Sequence, residues 1–109
     1  MKVQYFDLKN KRALVSGGAS GIGSSIVEHF CEQNVEVYFF DINKKEAKKT
    51  INKIKKKKFK IPTFVECDIK NIKKYKSFIS NIIKKKGPID ILVNNASNDQ
   101  RHSLENNTE

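Results

Sequence analysis

A chain of 109 residues with 38% hydrophobic and 31% charged positions suits one small domain or part of a larger one, and the clustering of its apolar residues excludes a disordered segment. No apolar run approaches the roughly 18 residues of a membrane span, and Met1 to Arg12 is mixed and charged with no signal-peptide core, so a cytoplasmic protein with no membrane partner is expected. The net charge of +10 taken alone points to nucleic acid, but it is nearly all lysine, densest between Lys44 and Lys60, with no interleaved aromatic stripe; a solvated lysine face is expected and nucleic acid is not the expected partner.

From residue 12 on, strand and helix patterns alternate. Arg12 to Ser16, carrying Ala13-Leu14-Val15, reads as a first strand, and Ser16-Gly17-Gly18-Ala19-Ser20-Gly21-Ile22-Gly23 as a glycine turn after it. A helix follows from about Gly21 to Asn34, with Ile22, Ile26 and Phe30 on one apolar face and Val27 and Cys31 beside them. Val35 to Phe40 is almost continuously apolar, hence a buried second strand. Asn43 opens a helix with a capping-box-like start at Glu46; Ala47, Ile51 and Ile54 form its narrow stripe, and Lys55 to Lys58 its end. Pro62 precedes a third strand, Thr63 to Cys67, where its missing N–H is tolerated.

The third helix spans about Asn71 to Lys86, lined by Ile72, Tyr75, Phe78, Ile79, Ile82 and Ile83. Lys84, Lys85 and Lys86 complement its C-terminal dipole, and Gly87-Pro88 stops it. Ile89 to Val93 is the fourth strand; after Ala96 the chain is polar and without periodicity. Buried strands joined by helical crossovers predict an α/β fold, a parallel sheet in the order βαβαβαβ with right-handed connections. Cys31 and Cys67 form no CxxC pair and read as buried free thiols, and His29 as a surface residue.

Strand, glycine turn and helix together make a phosphate cradle: free backbone N–H groups and the helix dipole face an anion. Gly17 lets the chain leave the strand sharply, Gly21 removes a Cβ that would block a pyrophosphate, and Gly23 lets the helix pack closely on the strand. Ser16 and Ser20 are expected to add hydroxyl donors, with Ala19 and Ile22 in the same loop. Asp41 ends the second strand about 20 residues on, where such folds bind a ribose. Its carboxylate can accept from both ribose hydroxyls and repels a 2′-phosphate, which favours NAD; Ile42 beside it is grouped with the cofactor-binding residues. The competing reading makes Asp41 a cap for the following helix, and Lys44 and Lys45 soften the charge discrimination.

Ser16-Gly17-x-x-x-Gly21-Ile22-Gly23, Asp41, Cys67-Asp68-Ile69 and Asn94-Asn95-Ala96 together resemble the N-terminal half of a short-chain dehydrogenase/reductase. The resemblance implies a Rossmann-type sheet in strand order 3-2-1-4, truncated before its second half, so that residues 1–109 form a partial NAD-binding domain. It implies that Asp68 and Ile69 flank the adenine, that Asn95 and Ala96 lie by the nicotinamide-side ribose with Ser97 grouped among the cofactor-binding residues, and that Asn94 helps pin the fourth strand. Ser16 stands where threonine is usual and Ser97 where glycine is usual. The implied activity is hydride transfer between a secondary alcohol or carbonyl and NAD, on a small molecule such as a sugar or hydroxy acid, in a homo-oligomeric full-length enzyme.

Family members carry a serine and a Tyr-x-x-x-Lys pair in their second half. Tyr5-Phe6-Asp7-Leu8-Lys9 matches the pair in letters but precedes the first strand, and is expected to be a staple on the sheet edge. The 109 residues alone are therefore expected to lack turnover, with no catalytic residue and no metal ligand assigned. The loop Asn98-Asp99-Gln100-Arg101-His102 falls at the carboxyl ends of the strands, where Arg101 and His102 are candidates for contacting a polar substrate. A fourth strand lacking its outer neighbour is expected to expose an apolar edge. A non-catalytic NAD-binding sensor, and behind it a basic nucleic-acid-binding protein, are the alternative functions.

Overall fold

The structure, a computed structural model, describes residues 8–95. Four strands alternate with three helices: β1 (Arg12–Ser16), α1 (Gly21–Glu32), β2 (Glu36–Asp41), α2 (Lys44–Lys56), β3 (Thr63–Glu66), α3 (Ile72–Lys86) and β4 (Ile91–Asn94). All pairings are parallel and the strand order is β3-β2-β1-β4, the Rossmann-like order expected. Ser16 lies opposite both Phe40 and Asn94, and Asp41 opposite Glu66, so the carboxyl ends of all four strands share one rim.

Alternation along the strands divides the core between the two faces of the sheet. Ala13, Val15, Val37 and Phe39 pack with Val27 and Cys31 of α1 and Ala47 and Ile54 of α2. On the other face Leu14, Tyr38 and Phe40 pack with Cys67, Ile82 and the half-buried Tyr75, Phe78 and Ile79 of α3. Phe40 meets Tyr75 and Phe78 edge-on, with ring centroids 5.4 and 6.0 Å away. Phe39 and Phe40 are both fully buried, each stabilising the fold by about 1.5–3 kcal/mol. Cys31 and Cys67 are buried free thiols, and burial pushes the Cys31 thiol up to about 12, which leaves it unreactive. No helix among the described residues is long and apolar enough to cross a membrane.

Element ends differ from expectation for local reasons. Asn34 takes a left-handed turn (φ 65°), so β2 starts at Glu36, and pairing with Glu66 carries it through Asp41. β3 ends at Glu66, one residue early. The Arg12 guanidinium donates to the Pro88 carbonyl (2.8 Å) and the Arg12 N–H to Asp90 (2.8 Å); these bonds hold residues 88–90 as a corner and delay β4 to Ile91. Arg12 also reaches Glu36, which accepts from the Tyr38 hydroxyl as well.

The buried seam of α1 is Gly23, Val27 and Cys31; Ile26 and Phe30 pack beside it, and Ile22, expected on the apolar face, is 68% exposed. Ile72 and Ile83 of α3 are likewise exposed. The lysines of α2 all face solvent, with Lys53 and Lys57 paired to Glu28 on α1. β4 is an edge strand among the described residues, and its Leu92 is 63% exposed, in line with the expected apolar edge.

Candidate functional site

The loop from Ser16 to Gly23 leaves β1 at the rim. It is tied at once to β2: the Gly17 and Gly18 N–H groups both donate to the Phe40 carbonyl, at 2.7 and 3.3 Å. Gly17 and Gly21 adopt left-handed backbone (φ 70° and 61°), which other residues enter only at a cost. A Cβ on Gly21 would meet nothing within 4 Å, so this corner borders open space. A Cβ on Gly23 would lie 1.8 Å from the Gly17 carbonyl oxygen and 2.8 Å from Asn95 Nδ2. Gly23 thus lets α1 close on its own loop, not on the strand as expected. The close approach to the strand belongs to Gly18, where a Cβ would fall 2.7 Å from Phe39 Cβ and 3.0 Å from Val27. The Gly17-Gly18 doublet was the available signal for it.

The N-terminus of α1 is left open. Ser20 is its N-cap residue in extended conformation, its side chain makes no capping hydrogen bond, and the first turn carries no acidic residue. Ser20, Gly21 and Ile22 are all exposed. Unsatisfied N–H groups and the positive end of the helix dipole therefore face outward. Ser16 does not join them. It is fully buried and its hydroxyl donates to Asn94 Oδ1 at 2.9 Å, joining β1 to β4. Asn94, expected to help pin the fourth strand, meets β1 through this hydrogen bond from Ser16.

Asp41 faces the loop from the end of β2. Its Oδ2 accepts from the Ala19 N–H (3.1 Å) and its Oδ1 from the Asn43 N–H (2.9 Å). The cap of α2 is Asn43, whose side chain accepts from the Glu46 N–H at 3.0 Å, so Asp41 is not that cap. Two more side chains reach the loop. Asn95 Nδ2 donates to the Gly17 carbonyl (3.1 Å), and the Thr50 hydroxyl of α2 donates to the Ala19 carbonyl (2.7 Å). Thr50 has no part in the expected site, although its place between Ala47 and Ile54 puts it on the buried stripe of α2.

Beside Asp41, an open cavity of about 320 Å³ is lined by Ile42, Glu66, Cys67, Asp68, Asn71 and Lys74. Asp68 Oδ1 accepts from the Lys70 N–H at 3.0 Å. Ile69 is absent from this lining and packs instead against the core under α3, so Ile42, 65% exposed, is the apolar wall here. Lys44 pairs with Glu66 at 3.7 Å, which draws its ammonium toward the cavity's acidic side. His29 is exposed on α1. Ala96, Ser97 and the loop Asn98 to His102 lie outside the described residues, as do Tyr5, Phe6 and Asp7; Leu8 packs against the α1–α2 core.

A family model for short chain dehydrogenases matches residues 11–109. The chain belongs to the short-chain dehydrogenase family. It is 35% identical over 106 residues to "Probable galactose dehydrogenase GalD" of Rhizobium meliloti, covering 97% of this chain and 41% of that protein. It is 36% identical over 100 residues to D-xylose 1-dehydrogenase of Caulobacter vibrioides, covering 92% of this chain and 38% of that one. Among solved structures, a β-ketoacyl-[ACP] reductase of Bacteroides thetaiotaomicron superposes with a TM-score of 0.75 at 26% identity, over 89% of this chain and 49% of the reductase. This short-chain dehydrogenase sequence thus spans about 40% of the length of the curated relatives named here.

Proposed function

We propose that this chain is the NAD-binding portion of a short-chain dehydrogenase that oxidises a sugar or a related hydroxy compound, in the cytoplasm and as a homo-oligomer in full-length form. The observation that carries the reading is Asp41. It stands at the end of β2 against the glycine loop, with each oxygen accepting one backbone N–H. A carboxylate offers about four acceptor positions, so acceptor capacity remains for both hydroxyls of an adenosine ribose. The same charge disfavours a 2′-phosphate, which supports NAD over NADP.

The remaining residues fit the rest of that cofactor. The open N-terminus of α1 at Ser20, Gly21 and Ile22 suits the pyrophosphate, with the Cβ-free corner at Gly21 leaving it room. Ile42 and Asp68 border a cavity suited to the adenine. Asn95, with Ala96 and Ser97 after it, is assigned to the nicotinamide-side ribose by the family motif. When bound, the nicotinamide supplies the hydride chemistry; the residues described here bind and orient it. The named activities of the galactose and xylose dehydrogenases support a sugar as substrate.

Calorimetric titration of the chain with NAD and NADP, repeated on Asp41→Ala, tests the proposal. NAD should bind more tightly than NADP, and the substitution should weaken NAD about tenfold while narrowing the preference, the loss expected for hydrogen bonds to a charged acceptor. Equal NAD affinity in the two proteins would contradict the ribose assignment.

A further inference from the structure

A threonine inside a helix ordinarily returns its hydroxyl to the carbonyl one turn back, or leaves it in water. Thr50 does neither. It is 7% exposed, sits in the middle of α2, and donates at 2.7 Å to the carbonyl of Ala19, a residue 31 positions earlier in the glycine loop. Ala19 is itself 2% exposed, and its N–H is taken by Asp41 Oδ2. The Ala19 residue is therefore clamped at both ends, by β2 through its N–H and by α2 through its carbonyl.

The consequence lies in the next peptide group. The Ala19 carbonyl and the Ser20 N–H belong to one planar trans unit, and in such a unit the two groups point in opposite directions. A hydroxyl that holds the carbonyl toward α2 therefore turns the Ser20 N–H away from α2. Ser20 is the exposed N-cap residue of α1, and its N–H makes no hydrogen bond among the described residues. Helix α2 has a second tie to the same place: its cap, Asn43, donates its own N–H to Asp41. One helix thus fixes both the carboxylate assigned to the ribose and the peptide plane that opens the phosphate cradle.

We propose that Thr50 is a positioning residue for nucleotide binding, acting through the Ala19–Ser20 peptide to orient the Ser20 N–H toward the cofactor's phosphates. The inference rests on the NAD reading of the site and goes beyond it by assigning the phosphate contact a lever in α2. A hydroxyl acting this way matters for phosphates and not for the nucleoside. Merely structural loss would weaken both.

The experiment titrates the chain with ADP and with adenosine, following amide shifts, in wild type, Thr50→Val and Thr50→Ser. Valine keeps the shape of threonine and removes the donor; serine keeps the donor. Thr50→Val should bind ADP about fivefold more weakly, the size of one hydrogen bond, with adenosine affinity unchanged, and Thr50→Ser should bind ADP as wild type does. If Thr50→Val folds poorly, Thr50→Ala removes the same hydroxyl and is held to the same result. Unchanged ADP affinity without the hydroxyl overturns the proposal and leaves the NAD reading standing. So does a parallel loss for adenosine, or a serine variant as weak as valine. A wild-type chain that binds neither ADP nor adenosine overturns the NAD reading and this proposal together.

Discussion

The three helices begin in two different ways. α2 and α3 each start with an asparagine whose side chain accepts from a backbone N–H of the first turn, Asn43 from Glu46 at 3.0 Å and Asn71 from Lys74 at 3.3 Å. α1 starts with Ser20, whose side chain caps nothing, and its first turn has two glycines and an exposed isoleucine. By local stability alone the capped starts are better, since a side-chain cap is worth about 1 kcal/mol. The open start nevertheless follows a loop tied from outside, with the Gly17 carbonyl and both ends of Ala19 bonded to other elements. A helix end that is fixed from outside but uncapped within is what the proposed phosphate site requires; a helix end that satisfies itself serves the fold.

The largest test of this contrast is Gly23→Ala. Its Cβ would sit 1.8 Å from a backbone oxygen that Asn95 also holds, so α1 must separate from its loop. A loss of about 3 kcal/mol or more in denaturant unfolding is expected, against about 1 kcal/mol for Gly21→Ala, which has room and meets only the left-handed backbone penalty. Comparable losses for both would mean that the loop is not packed as described. Next come the caps. Asn43→Ala and Asn71→Ala should each lower stability by about 1 kcal/mol; no change at either position would show that the self-capped helix starts do not contribute to the fold.

The contrast reverses at Ser20. Ser20→Asp gives α1 the cap and the acidic charge it lacks, so it should raise the melting temperature, by the equivalent of about 0.5 kcal/mol, while weakening NAD binding through repulsion of the phosphates. A variant that gains stability and keeps its affinity would argue that the phosphates lie elsewhere. The smallest effect concerns the tie between α1 and α2. Hydrogen bonding from Lys57, aided by Lys53 and opposed by burial, holds the Glu28 carboxyl below its ordinary value of 4.5. A carboxyl lowered in the folded state contributes stability above the carboxylate range and loses it as the pH falls through that range. Glu28→Gln should therefore melt slightly below wild type at neutral pH, by the equivalent of under about 1 kcal/mol, and level with it near pH 3. A gap that persists in acid would assign the difference to packing.

Much of this was legible in the sequence, and the omissions share a cause. Periodicity found every element among the described residues, because the strands are buried runs and the helices one-sided. It could not say where a helix face meets the sheet, so Ile22 was placed inward when the loop carries it outward at the start of α1. Residue type misled where a polar group has a hidden partner. Ser16 looked like a phosphate donor, but its register against Asn94 makes it a tie between strands. Thr50 has no role readable from the sequence, and only the fold brings its hydroxyl to Ala19. Ile69 was assigned to the adenine with Asp68, yet the turn after β3 directs the two in opposite senses, Asp68 to the cavity and Ile69 to the core.

The central claim, that the uncapped start of α1 is the phosphate site of an NAD-binding rim, is tested most directly by titrating NAD into the isotopically labelled chain and following its backbone amides. The largest shifts should fall on Ser20, Gly21, Ile22 and Gly23, with smaller ones at Asp41 and Asp68 and almost none at the capped amides of Glu46 and Lys74. Shifts concentrated on the lysine face of α2, or spread equally over all three helix starts, would contradict it.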